Sequence, residues 1–218
     1  MCEIDREIID RYRKLDTGII SDVMGRKRVM RSSIKCHYQN SVKVVGQAFT
    51  VDSMVGCNIM SHYALTKIKK GQILVIDAKG FEDVSVWGGI QTYYAKKIGI
   101  EAVVIDGSVR DIKEIRELLF PIFYKNVTPA GPHKGWRDKM NVSISVGGVS
   151  VNPYDLIIGD DDGVVVVPFD NIKEVLHQAE KKKELEEEWI NRIDKGLNIV
   201  EAINLTETIK YLGISEGD

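Results

Sequence analysis

The chain reads as an α/β protein, one mixed domain with a parallel β layer, a second and more antiparallel β layer, and a long C-terminal helix. Three observations predict this. Two similar segments, LVIDAKG at 74–80 and VVIDGSV at 103–109, are each an apolar run that ends in Asp and opens into a glycine-containing loop, with a helical stretch between them. Residues 141–167 then hold short apolar runs separated by Gly-Gly and Asp-Gly turns, the pattern of antiparallel pairing. Residues 171–195 form a highly charged stretch with Leu185, Trp189 and Ile193 at four-residue spacing.

Composition narrows the function classes. With 218 residues and 44% hydrophobic content the chain can bury a real core. No run approaches the roughly 20 consecutive apolar residues of a membrane span, and the N-terminus, MCEIDREIIDRYRKL, is charged rather than signal-like. A cytoplasmic protein with no membrane partner is expected. Cys2, Cys36 and Cys57 are odd in number and widely spaced, so they read as reduced thiols. A formal net charge of -2 gives no electrostatic reason for a nucleic-acid partner.

Taken in order, residues 4–15 place Ile8, Ile9, Tyr12 and Leu15 at helical spacing, and Asp16 and Thr17 punctuate the helix. A second short helix is predicted from Ser21, with Ser21 and Asp22 capping it, before the basic run 26–31, which reads as a solvated loop or a subunit contact. A strand over 42–51, a helix over 58–68 and a strand over 73–76 follow. The helix between the two similar segments spans about 89–97, and helix 112–118 followed by PIFYKN at 121–126 makes a further crossover.

Ligands of a parallel sheet collect where strands end and helices begin, because free backbone amides point outward there. Two such junctions stand out. Trp87-Gly88-Gly89-Ile90-Gln91 offers paired glycines and the amides of Ile90 and Gln91 in an opening helical turn, which suits a carboxylate. Gly107-Ser108-Val109-Arg110-Asp111 brings a permanent cation and an anionic oxygen. If their strands are neighbours, the two junctions face one crevice.

These residues, with FPIFYKNVTPAGP at 120–132, GDDDGVVVVP at 159–168 and TGIISDVMG from Thr17, resemble the RraA-like family. That family includes 4-hydroxy-4-methyl-2-oxoglutarate aldolases, related oxaloacetate decarboxylases and regulators of ribonuclease E. The resemblance implies that residues 1–218 form a single RraA-like domain with a three-layer β/β/α fold, similar to swivelling phosphohistidine domains. It further implies a class II pyruvate aldolase or decarboxylase acting on a small 2-oxo acid through a metal-stabilised pyruvate enolate, with Mg2+ or Mn2+ as cofactor. The expected assembly is a homotrimer or homohexamer with sites between subunits. Carried over by position, Asp111 anchors the metal and Arg110 binds the keto oxygen, the two acting as the catalytic pair, while Gly88, Gly89, Ile90 and Gln91 receive the substrate carboxylate.

The chain departs from this pattern in places. Relatives with aldolase character commonly carry an acidic residue where Gly89 stands, to orient a water for proton transfer, so the proton shuttle is unassigned; Asp22, Glu82, Asp83 or a partner subunit's carboxylate could substitute. Asn58 and His62 match a family-like segment, where His62 reads first as a hydrogen-bonded helix residue, with a supporting role near the site as the alternative, whereas Cys57 stands where an acid is usual. Three simpler readings compete. Ser108 and Asp111 could merely cap the next helix and leave Arg110 solvated. Asp160-Asp161-Asp162-Gly163 lacks the alternating spacing of a calcium loop and reads as a turn. The alternative function is a non-catalytic, protein-binding regulator of the ribonuclease E type; Asp111, which such regulators can lack, separates the two. No glycine-rich loop with a partner acid supports a methyltransferase.

Overall fold

The computed structural model describes residues 4–36 and 41–214; Cys2 and His37 lie outside the described residues. In chain order the elements are α1 (Arg6–Tyr12), α2 (Thr17–Val23), β1 (Lys35–Cys36), β2 (Lys43–Asp52), α3 (Ile59–Ala64), β3 (Ile73–Asp77) and β4 (Ser85–Trp87). Next come α4 (Gly89–Ile98), β5 (Ala102–Ile105), β6 (Ser108–Val109), α5 (Ile112–Glu117), β7 (Ile122–Tyr124) and β8 (Asn126–Val127). The remainder is β9 (Lys139–Met140), β10 (Ile144–Val146), β11 (Val149–Val151), β12 (Leu156–Asp160), β13 (Gly163–Val167), α6 (Ile172–Asp194), α7 (Ile199–Ala202) and α8 (Thr206–Tyr211).

The main sheet runs β1-β7-β5-β3-β2-β12-β13. Its centre, β2-β3-β5-β7, is parallel, with Leu74 opposite Val103 and Val104 opposite Phe123. Every residue of β3 and β5 is buried, as expected for strands covered on both faces, which is why they read as continuous apolar runs rather than alternating ones. The antiparallel strands expected as a separate layer partly join this sheet instead: β12 pairs with β2, and β13 with β12. Asp161 and Asp162 form the turn between them, as the sequence predicts. Gly159 on β12 has no side chain to oppose the Phe123 ring from β7; a Cβ built there would lie 2.6 Å from Phe123 Cζ. Strands far apart in the sheet order therefore meet across the interior, and the sheet curls towards closure. The β10-β11 hairpin stands apart, its turn made by Gly147 and Gly148 at φ 58° and 79°, the left-handed values that match strand twist.

A second, smaller sheet of order β4-β6-β8 is wholly parallel. Each of its strands is interleaved with the crossovers of the main sheet, so the chain runs β3, β4, α4, β5, β6, α5, β7, β8. Val86, Trp87 and Val109 pack with Leu74, Ile76, Val103 and Ile105 in the core between the layers. At the far end Tyr12, Leu15 and Ile20 pack with β12, β13 and the start of α6. Helix α2 begins at Thr17 rather than near Ser21, because Asp160 of β12 accepts from Thr17 N and Oγ1 at 2.8 and 2.6 Å. A distant carboxylate thus supplies the acceptor at the helix start that Ser21 was expected to give. The buried residues of α6, Ile172, Val175, Leu176 and Ala179, all lie in its first half; the rest carries surface pairs such as Lys182–Glu186 at 3.3 Å.

Candidate active site

Parallel pairing of β4 with β6 puts their carboxyl ends side by side, with Trp87 opposite Val109 and Arg110 N donating to Trp87 O at 3.0 Å. The next residues begin α4 and α5. The two junctions singled out in the sequence are therefore adjacent, and their helices open at one place.

Gly88 is the N-cap of α4, and Trp87 fixes the turn: its Nε1 donates to Thr92 Oγ1 at 2.9 Å, which donates to Gly88 O at 2.9 Å. The first amides of a helix have no intrahelical acceptor. Gly89 N donates instead to Asp111 Oδ2 at 3.0 Å, which leaves Ile90 and Gln91 as the open amides of this turn. Asp111 occupies the N-cap position of α5 at φ 60°, ψ 39°, yet its side chain makes no capping bond to its own helix. Ser108 Oγ donates to Glu82 O at 2.6 Å. The capping arrangement weighed for Ser108 and Asp111 is thus not formed; Asp111 reaches across to the neighbouring helix. A left-handed non-glycine residue costs of order 1–3 kcal/mol and concentrates at functional sites.

Glycine makes this approach possible. A Cβ built on Gly88 would lie 2.4 Å from Asp111 Oδ2 and 3.3 Å from Arg110 Cγ, and one on Gly131 would lie 2.8 Å from Arg110 Nη1. Arg110 Nε lies 3.5 Å from Asp111 Oδ2, and both side chains are partly exposed. Asp111 Oδ1 makes no hydrogen bond among the described residues.

A cavity of about 120 Å³ brings Gly88, Ile90, Gln91, Arg110 and Asp111 together with Trp87, Asn58, His62, Pro132 and Lys134. Gly89 lies behind this wall, tied to Asp111 through its amide. Asp22 is on α2, beside Arg26, and Glu82 pairs with Lys125 at 2.6 Å; neither they nor Asp83 line the cavity. Lys134 and Pro132 were not anticipated as lining residues. They arrive on the 128–138 segment, which is held by the pairing of Cys57 with His133, and only the AGP of the resemblance hinted at that segment.

One wall of the cavity is a directional hydrogen-bond chain. Ser61 Oγ donates to Asn58 O at 2.8 Å, so it accepts from Gln91 Nε2 at 2.9 Å, and Gln91 Oε1 accepts from Asn58 Nδ2 at 3.3 Å. The other hydrogen of Asn58 Nδ2 faces His62 Nε2 at 3.2 Å. His62 Nε2 is therefore an acceptor, and the neutral ring carries its proton on Nδ1. Burial, helped by the Lys134 charge, holds the His62 pKa below its ordinary value, which favours this neutral form. Asn58 is buried, and its Oδ1 is left without a partner.

The Aldolase/RraA family model, described as RraA-like, matches residues 10–166. The chain belongs to the RraA-like family. Among RraA-like relatives, the "Putative 4-hydroxy-4-methyl-2-oxoglutarate aldolase" of Halalkalibacterium halodurans is 38% identical over 183 residues, covering 84% of this chain and 87% of that protein. An uncharacterized protein from Pseudomonas syringae has a similar solved structure, with a TM-score of 0.82 at 27% identity over 92% of this chain and 94% of its own. The Streptomyces coelicolor protein RraAS2, an unusual member of the RNase ES inhibitor RraA protein family, aligns at a TM-score of 0.74 and 26% identity, over 86% of this chain and 97% of its own. The RraA-like α/β architecture expected from the sequence is observed, with most of the antiparallel pairing inside the main sheet and the smaller layer parallel. Relatives with aldolase names match the chain in sequence, and relatives with RraA names match it in structure.

Proposed function

We propose that this RraA-like protein is a divalent-metal-dependent carbon–carbon lyase that releases pyruvate from a small 2-oxo acid such as 4-hydroxy-4-methyl-2-oxoglutarate or oxaloacetate. The observation that carries the reading is the contact between the two junctions: Asp111 bridges to the Gly89 amide, with Arg110 alongside and the Ile90 and Gln91 amides open to the same cavity.

The residues present fit a magnesium or manganese ion. Among the described residues no group of three or more His, Cys, Asp or Glu is arranged to hold a metal, so a zinc-type cage is not on offer. Asp111 offers one carboxylate oxygen free of hydrogen bonds, and an ion held by one carboxylate with its remaining positions taken by water and substrate is the usual magnesium arrangement. When bound, such an ion supplies Lewis-acid polarisation of the keto oxygen.

The protein's own groups do the rest. The open amides of α4 receive the substrate carboxylate, aided by the positive end of the helix. Arg110 sits beside the keto oxygen and stabilises the negative charge that develops there as the bond breaks to give the pyruvate enolate. Gly88 and Gly131 keep the space that lets Asp111 and Arg110 hold these positions.

The large apolar side chains around the cavity are more exposed than a lone subunit would favour: Ile90 is 83% and Tyr93 61% exposed, with Tyr63 and Trp136 nearby in the same state. Such exposure fits a site that a neighbouring subunit closes, and the assembly we propose is a trimer or pair of trimers. No described helix is long and apolar enough to cross a membrane; a cytoplasmic location is part of this proposal. The second reading, a protein-binding regulator of the ribonuclease E type, is favoured by the likeness to RraAS2. Pyruvate release from oxaloacetate and from 4-hydroxy-4-methyl-2-oxoglutarate, measured with Mg2+ or Mn2+ and again with chelator, separates the two. The lyase reading expects turnover that chelator abolishes and metal restores; no metal-dependent pyruvate from either acid sinks it.

A further inference from the structure

We propose that Glu114 is the proton-carrying residue of this site, its carboxylate standing where a side chain at residue 89 would otherwise stand. The proposal rests on the lyase reading above and assigns the one role that reading leaves open.

Aldol cleavage of a 4-hydroxy-2-oxo acid needs a group that both takes and returns a proton. The C4 hydroxyl loses its proton as the C3–C4 bond breaks. The bonding pair passes to the pyruvate half as its enolate, and C3 then takes up a proton to give pyruvate. One carboxylate that accepts the hydroxyl proton and gives it back to C3, directly or through a water, closes this balance without a co-reactant.

The groups facing the cavity do not meet that need. Arg110 and Lys134 are cations and take no proton. Asp111 accepts from the Gly89 amide through Oδ2 and, in the lyase reading, gives its other oxygen to the metal, and His62 Nε2 is engaged with Asn58 while Nδ1 already bears the ring proton. Glu114 differs. Its carboxylate has no hydrogen bond or ion pair among the described residues.

Its position is set by Gly89. A Cβ built on Gly89 would lie 1.9 Å from Glu114 Oε2, 3.1 Å from its Cδ and 3.3 Å from its Cβ, so the Glu114 side chain fills the path that a residue-89 side chain would take. Asp111 and Glu114, one turn apart on α5, straddle the Gly88–Gly89 step, with Asp111 against Gly88 and Glu114 against Gly89. Glu114 also lines an open depression with Gly89, Ile90 and Tyr93, and Ile90 is shared with the cavity that holds Arg110 and Asp111. Glu114 does not itself line that cavity; its exposed carboxylate stands in the adjoining depression, three residues along the helix from Asp111, and acts on the site past Ile90 through a water.

The test compares two readouts in the full-length protein with Mn2+: deuterium incorporation into the pyruvate methyl group in D2O, followed by proton NMR, and oxaloacetate decarboxylation. Exchange needs a proton carrier on the enzyme, whereas decarboxylation makes the enolate by loss of carbon dioxide. Glu114→Gln is expected to slow exchange by about 100-fold, the scale of general acid–base catalysis, and to slow decarboxylation far less. Because Glu114 is exposed and unpaired, its thermal transition should match the wild type. Glu114→Ala combined with Gly89→Asp, which returns a carboxylate by the other route, is expected to recover exchange at least about tenfold over Glu114→Ala alone. Exchange by Glu114→Gln at the wild-type rate, parallel loss of both readouts, or no recovery in the double variant overturns the assignment. A wild-type protein that shows neither reaction with metal overturns the lyase reading itself.

Discussion

Replacing Gly88 by Ala tests the site geometry with a single methyl group. Gly88 has φ −161°, an extended value open to any residue, so the backbone tolerates the change and only the space resists it. The new Cβ would lie 2.4 Å from Asp111 Oδ2, where ordinary contact begins near 3.4 Å, so the carboxylate must retreat by about 1 Å. Its bond to Gly89 N, now 3.0 Å, is then broken or badly stretched. In a catalytic arrangement a displacement of about 1 Å can cost about 100-fold in rate, which corresponds to about 2.7 kcal/mol of transition-state stabilisation. Stability should change far less. The lost hydrogen bond is partly exposed and contributes about 1 kcal/mol, and Ala is a poorer N-cap than Gly by up to about 1 kcal/mol. Against this, stiffening the unfolded chain returns about 0.4–1 kcal/mol. A net cost near 1 kcal/mol lowers the melting temperature by about 2–4 °C in a chain of this size. Metal-dependent pyruvate release from oxaloacetate and a thermal melt therefore diverge: activity falls about 100-fold while the fold survives. A Gly88→Ala protein with wild-type kcat/KM, or one whose lost activity simply follows unfolding, refutes the reasoning.

Other changes follow from the same geometry. Arg110→Ala should lower kcat by about 100- to 1000-fold with little change in melting temperature, because the side chain is partly exposed and acts on developing charge; Arg110→Lys should not restore it, since a point ammonium does not replace the planar fork. Gly18→Ala serves as the opposite control: nothing lies within 4 Å of the added Cβ on an exposed position of α2, so melting should rise by about 2–4 °C with activity unmoved. The Asp160–Thr17 tie predicts a pH dependence. Burial pushes the Asp160 carboxyl up, but hydrogen bonds from Thr17 and the Lys43 ammonium outweigh it and hold its pKa below the ordinary value. A depressed folded pKa means stabilisation that is complete above the unfolded value of about 3.9 and is lost as pH falls through the folded one. Thr17→Val should therefore cost about 1–3 kcal/mol in denaturant melts at pH 7, and the difference from wild type should shrink below about pH 4; an equal difference at both pH values contradicts the assignment.

What the sequence made legible, and what it concealed, has a common physical cause. The strands β3 and β5 announce themselves because both of their faces are buried, so every residue is apolar and no periodicity is needed. The junctions at Gly88 and Asp111 were legible because helix openings need particular residue types, glycine for approach and a charged group for the ligand. The sheet that brings those junctions together was not. Strands β4, β6 and β8 are two or three residues long, too short for any periodic signal, and their pairing depends on crossovers that only the folded main sheet fixes. The cap of α2 was misplaced for a related reason: Asp160 lies 143 residues from Thr17, and local capping patterns carry no trace of it. Glu114 follows the same rule. Read along the chain it is an ordinary first-turn acid of α5, favourable there for the helix dipole alone. Only the folding of β4 against β6 sets it against a glycine 25 positions earlier, and only the missing Cβ of that glycine leaves room for its carboxylate. An absent side chain is informative only together with what fills its space. The acid that seemed to be missing at residue 89 is thus better sought among side chains that a substituent there would displace than among carboxylates nearby in sequence.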